Sequence, residues 1–301
     1  MTSFDRHRVR ASADRLQDRR HRLAGAVTTR PGWDPAHEEM AEILQTPPTD
    51  IGGVLSTLVA VQTVLERLPP KAKANRVAAF NSLYYTITAR VARSLTGPNV
   101  HDPVFLEQLD VEFAKLYFVA LRRWGEGDER TPDVWEVLFR RAQDTGVSRL
   151  CAAMLGVNAH INHDLSLALI ATWRSVGAPE PHVTHPDYLL VNRIFYEAIP
   201  TLRRRYSTPW QLRIDRYVGD LDDWTQDLLV ASTRALAWEQ GERLWPLRDD
   251  DGDFGQACMT MDRAAALVGE LLIHGDGVVT RAGVLASAAW RRLRPHRRRS
   301  R

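Results

Sequence analysis

The chain has 301 residues, 44% of them hydrophobic, with 40 Lys and Arg set against 37 Asp and Glu. That is ample apolar material for a core, and a net charge of +3 implies no strong global field to gather nucleic acid. Two cysteines in apolar contexts, Cys151 and Cys258, exclude a disulfide framework and point to buried thiols in a reducing cytoplasm.

No run of apolar residues is long enough for a membrane span, and the N-terminal stretch lacks the apolar core of a signal peptide. Residues 1–30 are Arg-rich and polar and read as a basic flexible arm. A helical domain is expected over 31–290, and a basic tail over 291–301. A short helix is expected over Pro35–Leu44, before the Pro47-Pro48 break. Ile51–Leu68 is the first strongly patterned helix, with Asp50 as its N-cap and Pro69-Pro70 as its stop. A second helix is predicted over Lys71–Leu95; along it Asn81, Tyr84, Tyr85 and Thr88 form a polar-aromatic stripe, read as core tyrosines or as a pocket wall. Asp102-Pro103 opens a third, Val104–Trp124, on which Asp110, Ala114, Tyr117 and Leu121 share a face. Thr131-Pro132-Asp133 is read as the cap of a helix bearing Trp135, Leu138 and Phe139.

The centre of the chain is Leu150–Trp173, a helix long enough to cross a domain, apolar on its flanks and polar in its middle. Asn158 and Asn162, four apart, share one side; His160 and Asp164 share nearly the opposite one, with His163 between. A helix apolar on most sides is buried. Leaving a buried polar group unpaired costs roughly 1–3 kcal/mol, so these residues either pair with other protein groups or face a polar cavity. An i, i+4 His/Asp pair can chelate one cation, or a carboxylate can fix an imidazole's tautomer and raise its basicity. The alternative is a satisfied polar network that locks helices together.

Beyond Trp173, the loop HVTHPD carries His182, His185 and Asp187 and reads as a lid, further metal ligands, or a loop whose Asp187 caps a helix over Tyr188–Ile199. Helices are expected over Pro209–Val218 and Asp220–Leu244, the latter beginning with Asp222, Asp223 and Asp227. Residues 249–255, DDDGDFG, read as an acidic loop without calcium-loop spacing. A helix over Gln256–Ile273, a Gly-rich turn and a terminal helix complete an all-α, single-domain bundle around a buried polar central helix.

The run N-A-H-I-N-x-D-L at Asn158–Leu165, with FNSLYYTIT at Phe80–Thr88 and LDVEFAKLYF at Leu109–Phe118, resembles an uncharacterised, mostly bacterial family, a domain of unknown function. The resemblance spans about residues 50–245; where that family often has a proline after D-L, this chain has Ser166. It implies a fold and no activity.

Phosphate-binding, dinucleotide-binding, hydrolase-elbow, H-E-x-x-H and C-x-x-C motifs are absent, and the basic ends lack the interleaved aromatics of a single-strand binder. Three functions stay open. The first is a small-molecule enzyme with a pocket inside the bundle and a divalent metal on His160, Asp164 and His163, for metal-assisted hydrolysis. Its H-x-x-x-D spacing is similar to that of helical zinc-dependent phospholipases C and nucleases, although no second such pair is present. The second is a cyclase similar to the helical isoprenoid enzymes, with Asp222, Asp223 and Asp227 as its acidic motif; Ile170 stands where the companion motif needs a glutamate. The third is a non-catalytic helical protein that binds a ligand or partner. For a catalytic role the candidates are His160, Asp164 and Asp110; Asn81, Tyr84, Tyr117, Asn158 and Asn162 are the expected substrate contacts. The expected partner is a small molecule, with no specific nucleic acid and no membrane span.

Overall fold

The computed structural model describes residues 32–68, 75–177, 186–195, 197 and 234–293, with side chains to residue 276. Among these residues the fold is all helical, with no strand. The helices are α1 (His37–Ile43), α2 (Ile51–Arg67), α3 (Arg76–Ser94), α4 (Pro103–Glu126), α5 (Asp133–Phe139), α6 (Arg149–Ala159), α7 (Leu165–Val176), α8 (186–195), α9 (234–244) and α10 (Asp251–Leu293). Among the described residues none is long and apolar enough to cross a membrane.

Local chemistry sets most of the helix starts. Asp50 accepts the Gly53 N–H at 2.7 Å, and Asn75 accepts that of Val77 at 2.9 Å. Asp102 accepts the Phe105 N–H at 2.9 Å ahead of Pro103, whose missing N–H costs nothing in a first turn. Helix α4 stops at Gly127, whose φ of +67° suits a residue without a side chain. Helix α5 is different. Its N-cap is Pro132, which makes no side-chain cap, and Thr131 donates instead to the Asp128 carbonyl. The acceptor comes from α10, where the Asp262 carboxylate takes the Asp133 and Val134 N–H groups, both at 2.8 Å. Likewise Ser148, the cap of α6, is itself gripped by Asp276 of α10 through its N–H (2.9 Å) and hydroxyl (2.7 Å).

Two expectations are corrected. Residues 251–255 are the first turn of α10, not a loop, because Asp250 accepts the Gly252 and Asp253 N–H groups at 3.0 Å and acidic residues suit a helix start. Nor does a Gly-rich turn follow Ile273: α10 runs on through Gly275 and Gly277 to Leu293. A glycine weakens a helix by about 1 kcal/mol and does not by itself end one. Helix α3 begins at Arg76, with residues 69–74 outside the described part. The terminal arm (1–30), the tail from 294, the Pro209–Val218 segment, His182, His185 and the Asp222, Asp223, Asp227 motif also lie outside it.

The central stretch is one rod made of α6, a π-helical turn (His160–Asp164) and α7. Helix α3 packs along α6, α4 along α7, and α10 covers α5 and α6 from the other side. The approach of α3 to α6 depends on Gly156, against which the Phe80 ring lies so closely that no Cβ fits between. On α7, Trp173 meets Trp238 of α9 and Trp245 edge-on, which ties the C-terminal half to the rod.

Candidate functional site: a buried histidine–aspartate pair at a cavity

The π turn carries the site. Leu165 donates its N–H to the His160 carbonyl five residues back, so one extra residue is housed in the turn and the rod beyond it is rotated by about 100° from a continuous α-helix. The expectation of a plain α-helix over Leu150–Trp173 is corrected on this point.

Asp164 is 1% exposed and sits among three N–H donors. Its Oδ2 lies 3.0 Å from His160 Nδ1, its Oδ1 lies 2.8 Å from His163 Nδ1, and the Trp135 indole N–H reaches the two oxygens at 3.3 and 3.1 Å. Burial pushes the Asp164 carboxyl upward, but the bonds from His160 and His163 outweigh it and hold it below the ordinary carboxylate range. An ionised carboxylate only accepts, so both Nδ1 atoms carry hydrogen.

The two histidines then part ways. Burial lowers the basicity of His160; the Asp164 bond opposes this, the Arg234 charge adds to it, and the net direction is downward. Burial also acts on His163, but there the bond to Asp164 and the nearby Asp262 prevail, and the net direction is upward. Of the two, His163 is the one that favours the imidazolium form beside Asp164, while His160 favours the neutral imidazole, with its hydrogen on Nδ1 and the lone pair on Nε2.

That Nε2 is buried without a hydrogen-bond partner among the described residues, as are Tyr84 Oη and Asp110 Oδ2. All three residues line one cavity, together with apolar side chains of α3, α4 and the rod and with Val191, Phe195 and Arg234 on the remaining side. The cavity is small, about 50 Å³, against roughly 10–15 Å³ for one water on this measure. The His160 ring is fixed in it by aromatic neighbours: Phe113 stacks at 3.5 Å between centroids, and Tyr84 meets it edge-on at 4.4 Å. Burial, and then the charge of Glu107, push Asp110 up to about 7, so near neutrality it can hold or release a proton. Burial keeps the Tyr84 hydroxyl protonated.

The Asp110 shift gives a pH prediction. A carboxyl whose pKa is raised on folding binds its proton more tightly when folded, so its contribution to stability is most favourable at low pH. It declines between about 4 and about 7, by up to about 1.4 kcal/mol per pH unit, and is level above that. Asp110→Asn, which is never charged, should gain on the wild type as pH rises through this window. Paired urea titrations between pH 4 and 8 measure the gap; parallel curves would show that Asp110 ionises without penalty.

The other expected site residues lie elsewhere. Asn81 donates to the Leu58 carbonyl and Gln62 Oε1, both at 2.9 Å, and accepts the Tyr117 hydroxyl at 3.3 Å, so this pair stitches α2, α3 and α4 together behind the cavity. Asn158 donates to the Ala265 carbonyl at 2.8 Å and accepts from Asn162 at 2.9 Å, which fastens the rod to α10. The stripe on α3 thus divides: Tyr84 faces the cavity and Asn81 the helix contacts. Asp187 accepts the His101 and Asp102 N–H groups at 2.9 and 2.6 Å and anchors α8 to the start of α4. Ser166 donates to the Ala237 carbonyl at 3.0 Å. Among the described residues no three His, Cys, Asp or Glu side chains are grouped to hold a metal ion. Sequence reasoning gave Trp135 and Phe113 no role in the site. Nothing in a local pattern shows that an indole 29 positions away will close on Asp164.

Fold and site together define an all-α bundle with a buried histidine–aspartate pair on the wall of an apolar cavity. No curated protein and no solved structure matches the chain. The chain belongs to DUF5995, a family of unknown function whose model matches residues 51–275. That span starts with α2 and ends in α10, so it holds every described residue of the cavity wall and Asp262, by which α10 grips α5; Asp276 falls one residue beyond it.

Proposed function

We propose that this protein is a small-molecule enzyme that works by proton transfer, with His160 as general base, Asp164 as the carboxylate that orients it, and Asp110 as the acid. The observation that carries this is the unpartnered Nε2 of His160 on the cavity wall while Nδ1 is committed to Asp164. A group held this way takes a proton from a bound substrate at Nε2 without changing its tautomer, and Asp110 returns one at a second atom. Hydrolysis fits this scheme if the proton removed is that of a water. Acid–base work is placed ahead of a metal-assisted route because both Asp164 oxygens are committed to His160, His163 and Trp135, which leaves His160 Nε2 as the one polar atom of the three expected ligands that faces the cavity among the described residues. Both thiols are free, with Cys151 pushed up to about 12 and Cys258 to about 11 by burial, which favours the protonated thiol and gives neither a nucleophilic role.

The test needs no substrate. Imidazole nitrogen NMR on selectively labelled protein at pH 7 should show His160 neutral with its proton on Nδ1, and His163 as imidazolium. An Nε2-protonated or cationic His160 would remove the base and with it this reading.

A further inference from the structure

The cavity also constrains what it can bind. Among its described lining residues only Tyr84, Asp110, His160 and Arg234 are polar; Leu83, Ile87, Leu109 and Ile161 are typical of the rest. The Arg234 guanidinium is bonded to Asn192 and lies 4.9 Å over the Tyr188 ring, so its charge is engaged within the bundle. A ligand anion would give up its water for a wall that is mostly apolar and on which Arg234 is already bonded to Asn192. With Asp110 protonated as the acid, a ligand cation finds no carboxylate there, and the Phe113 face is already covered by His160. Beside the Asp110 carboxyl, which the reading above assigns as the acid, what remains unmet is one lone pair, on His160 Nε2, and one hydroxyl, on Tyr84, both on residues more than nine-tenths buried. A carbonyl oxygen answers the second and not the first, because two acceptors cannot bond to each other. A hydroxyl answers both.

We infer that the substrate of this site is an uncharged, largely apolar molecule carrying one hydroxyl group, which donates to His160 Nε2 and accepts from Tyr84 Oη. The inference rests on the acid–base reading above, since it takes Nε2 to be a lone pair. The hydroxyl proton is then the one His160 removes, its bonding pair stays on the substrate oxygen, and the Tyr84 O–H supports that oxygen as charge grows on it. The apolar body gains affinity by leaving water, and the small volume limits it to a compact molecule.

Propan-2-ol, acetone, acetate and isopropylammonium have the same number of heavy atoms, suit the small cavity, and differ in the feature at issue. Each is titrated into wild-type protein by ligand-observed NMR, with the His160 nitrogen resonances followed in parallel. Propan-2-ol should bind about five- to tenfold more tightly than acetone, the worth of the one hydrogen bond that a carbonyl cannot make to Nε2, and should move the Nε2 resonance where acetone does not. Neither ion should compete with it. Equal binding of propan-2-ol and acetone, a preference for either ion, or no binding by any probe overturns the inference. The spectrum taken before any probe is added reports the His160 tautomer, so failure of the acid–base reading is seen separately. Tyr84→Phe removes the contact that the two share and should weaken both, while Asn81→Ala, away from the cavity, should leave both unchanged.

Discussion

Alanine at Gly156 should destabilise the protein by roughly 3 kcal/mol, although alanine is the better helix former by about 1 kcal/mol. A Cβ at this position would fall 2.1 Å from Phe80 Cγ, 2.2 Å from Cδ2 and 2.7 Å from Cβ. Contacts of that kind do not occur, so either the ring or the helix must move. The ring has nowhere to go. It stands edge-on to Tyr117 at 5.2 Å and to His160 at 5.5 Å, and it lies 5.4 Å from Trp135. The helices must therefore separate along the line where α3 meets α6, and the cavity wall shifts with them. Urea unfolding of Gly156→Ala beside wild type gives the number. Phe80→Leu combined with Gly156→Ala should recover part of the loss, because the two changes share one contact. A loss under 1 kcal/mol in the single variant would mean that α3 and α6 part cheaply.

Removing the Asp164 carboxylate should have a still broader effect. Asp164→Ala leaves three buried N–H donors, those of His160, His163 and Trp135, without their acceptor, and leaves the His163 cation without its counter-charge. Losing one partner of a buried charged pair costs about 3–5 kcal/mol. Asp164→Asn separates structure from chemistry. The amide keeps the shape and one acceptor, but it turns an NH2 group toward an N–H donor, so one of the two imidazoles must change tautomer or lose its bond. The Asn variant should fold, with a smaller loss, and its His160 nitrogen spectrum should no longer show a single Nδ1-protonated form. If both variants unfold at the wild-type midpoint, Asp164 is not the hub of this cluster.

The sequence disclosed this site unevenly, for physical reasons. Local rules were enough for the helices that carry their own caps, such as those beginning after Asp50 and Asp102. They were enough for the polar centre of the rod too, because charged and polar residues inside an apolar run must be answered by something. Periodicity placed His160 and Asp164 on one side and Asn158 and Asn162 on another, and the observed bonds follow that division. What answers each group was not legible. Asn158 meets the Ala265 carbonyl 107 positions away, and Trp135 closes on Asp164 across a helix boundary. Helical spacing alone gave Asn81 and Tyr84 the same standing, and only the packing of α2 against α3 turns one of them away from the cavity. The π turn left no mark in the pattern, since a single housed residue changes phase without changing composition.

Asp262 and Asp276 give the bundle an order of assembly. Helix α5 takes its N-terminal acceptor, and Ser148, the cap of α6, takes its own partner, from carboxylates that follow by 128 or more positions. A chain leaving the ribosome at about 5–20 residues per second therefore carries those helix starts unfinished for several seconds. Closure waits on α10, and closing so long a loop makes this a contact of high order, which slows folding. The rod that carries the histidine–aspartate pair is the middle of the sequence and among the last parts to be locked.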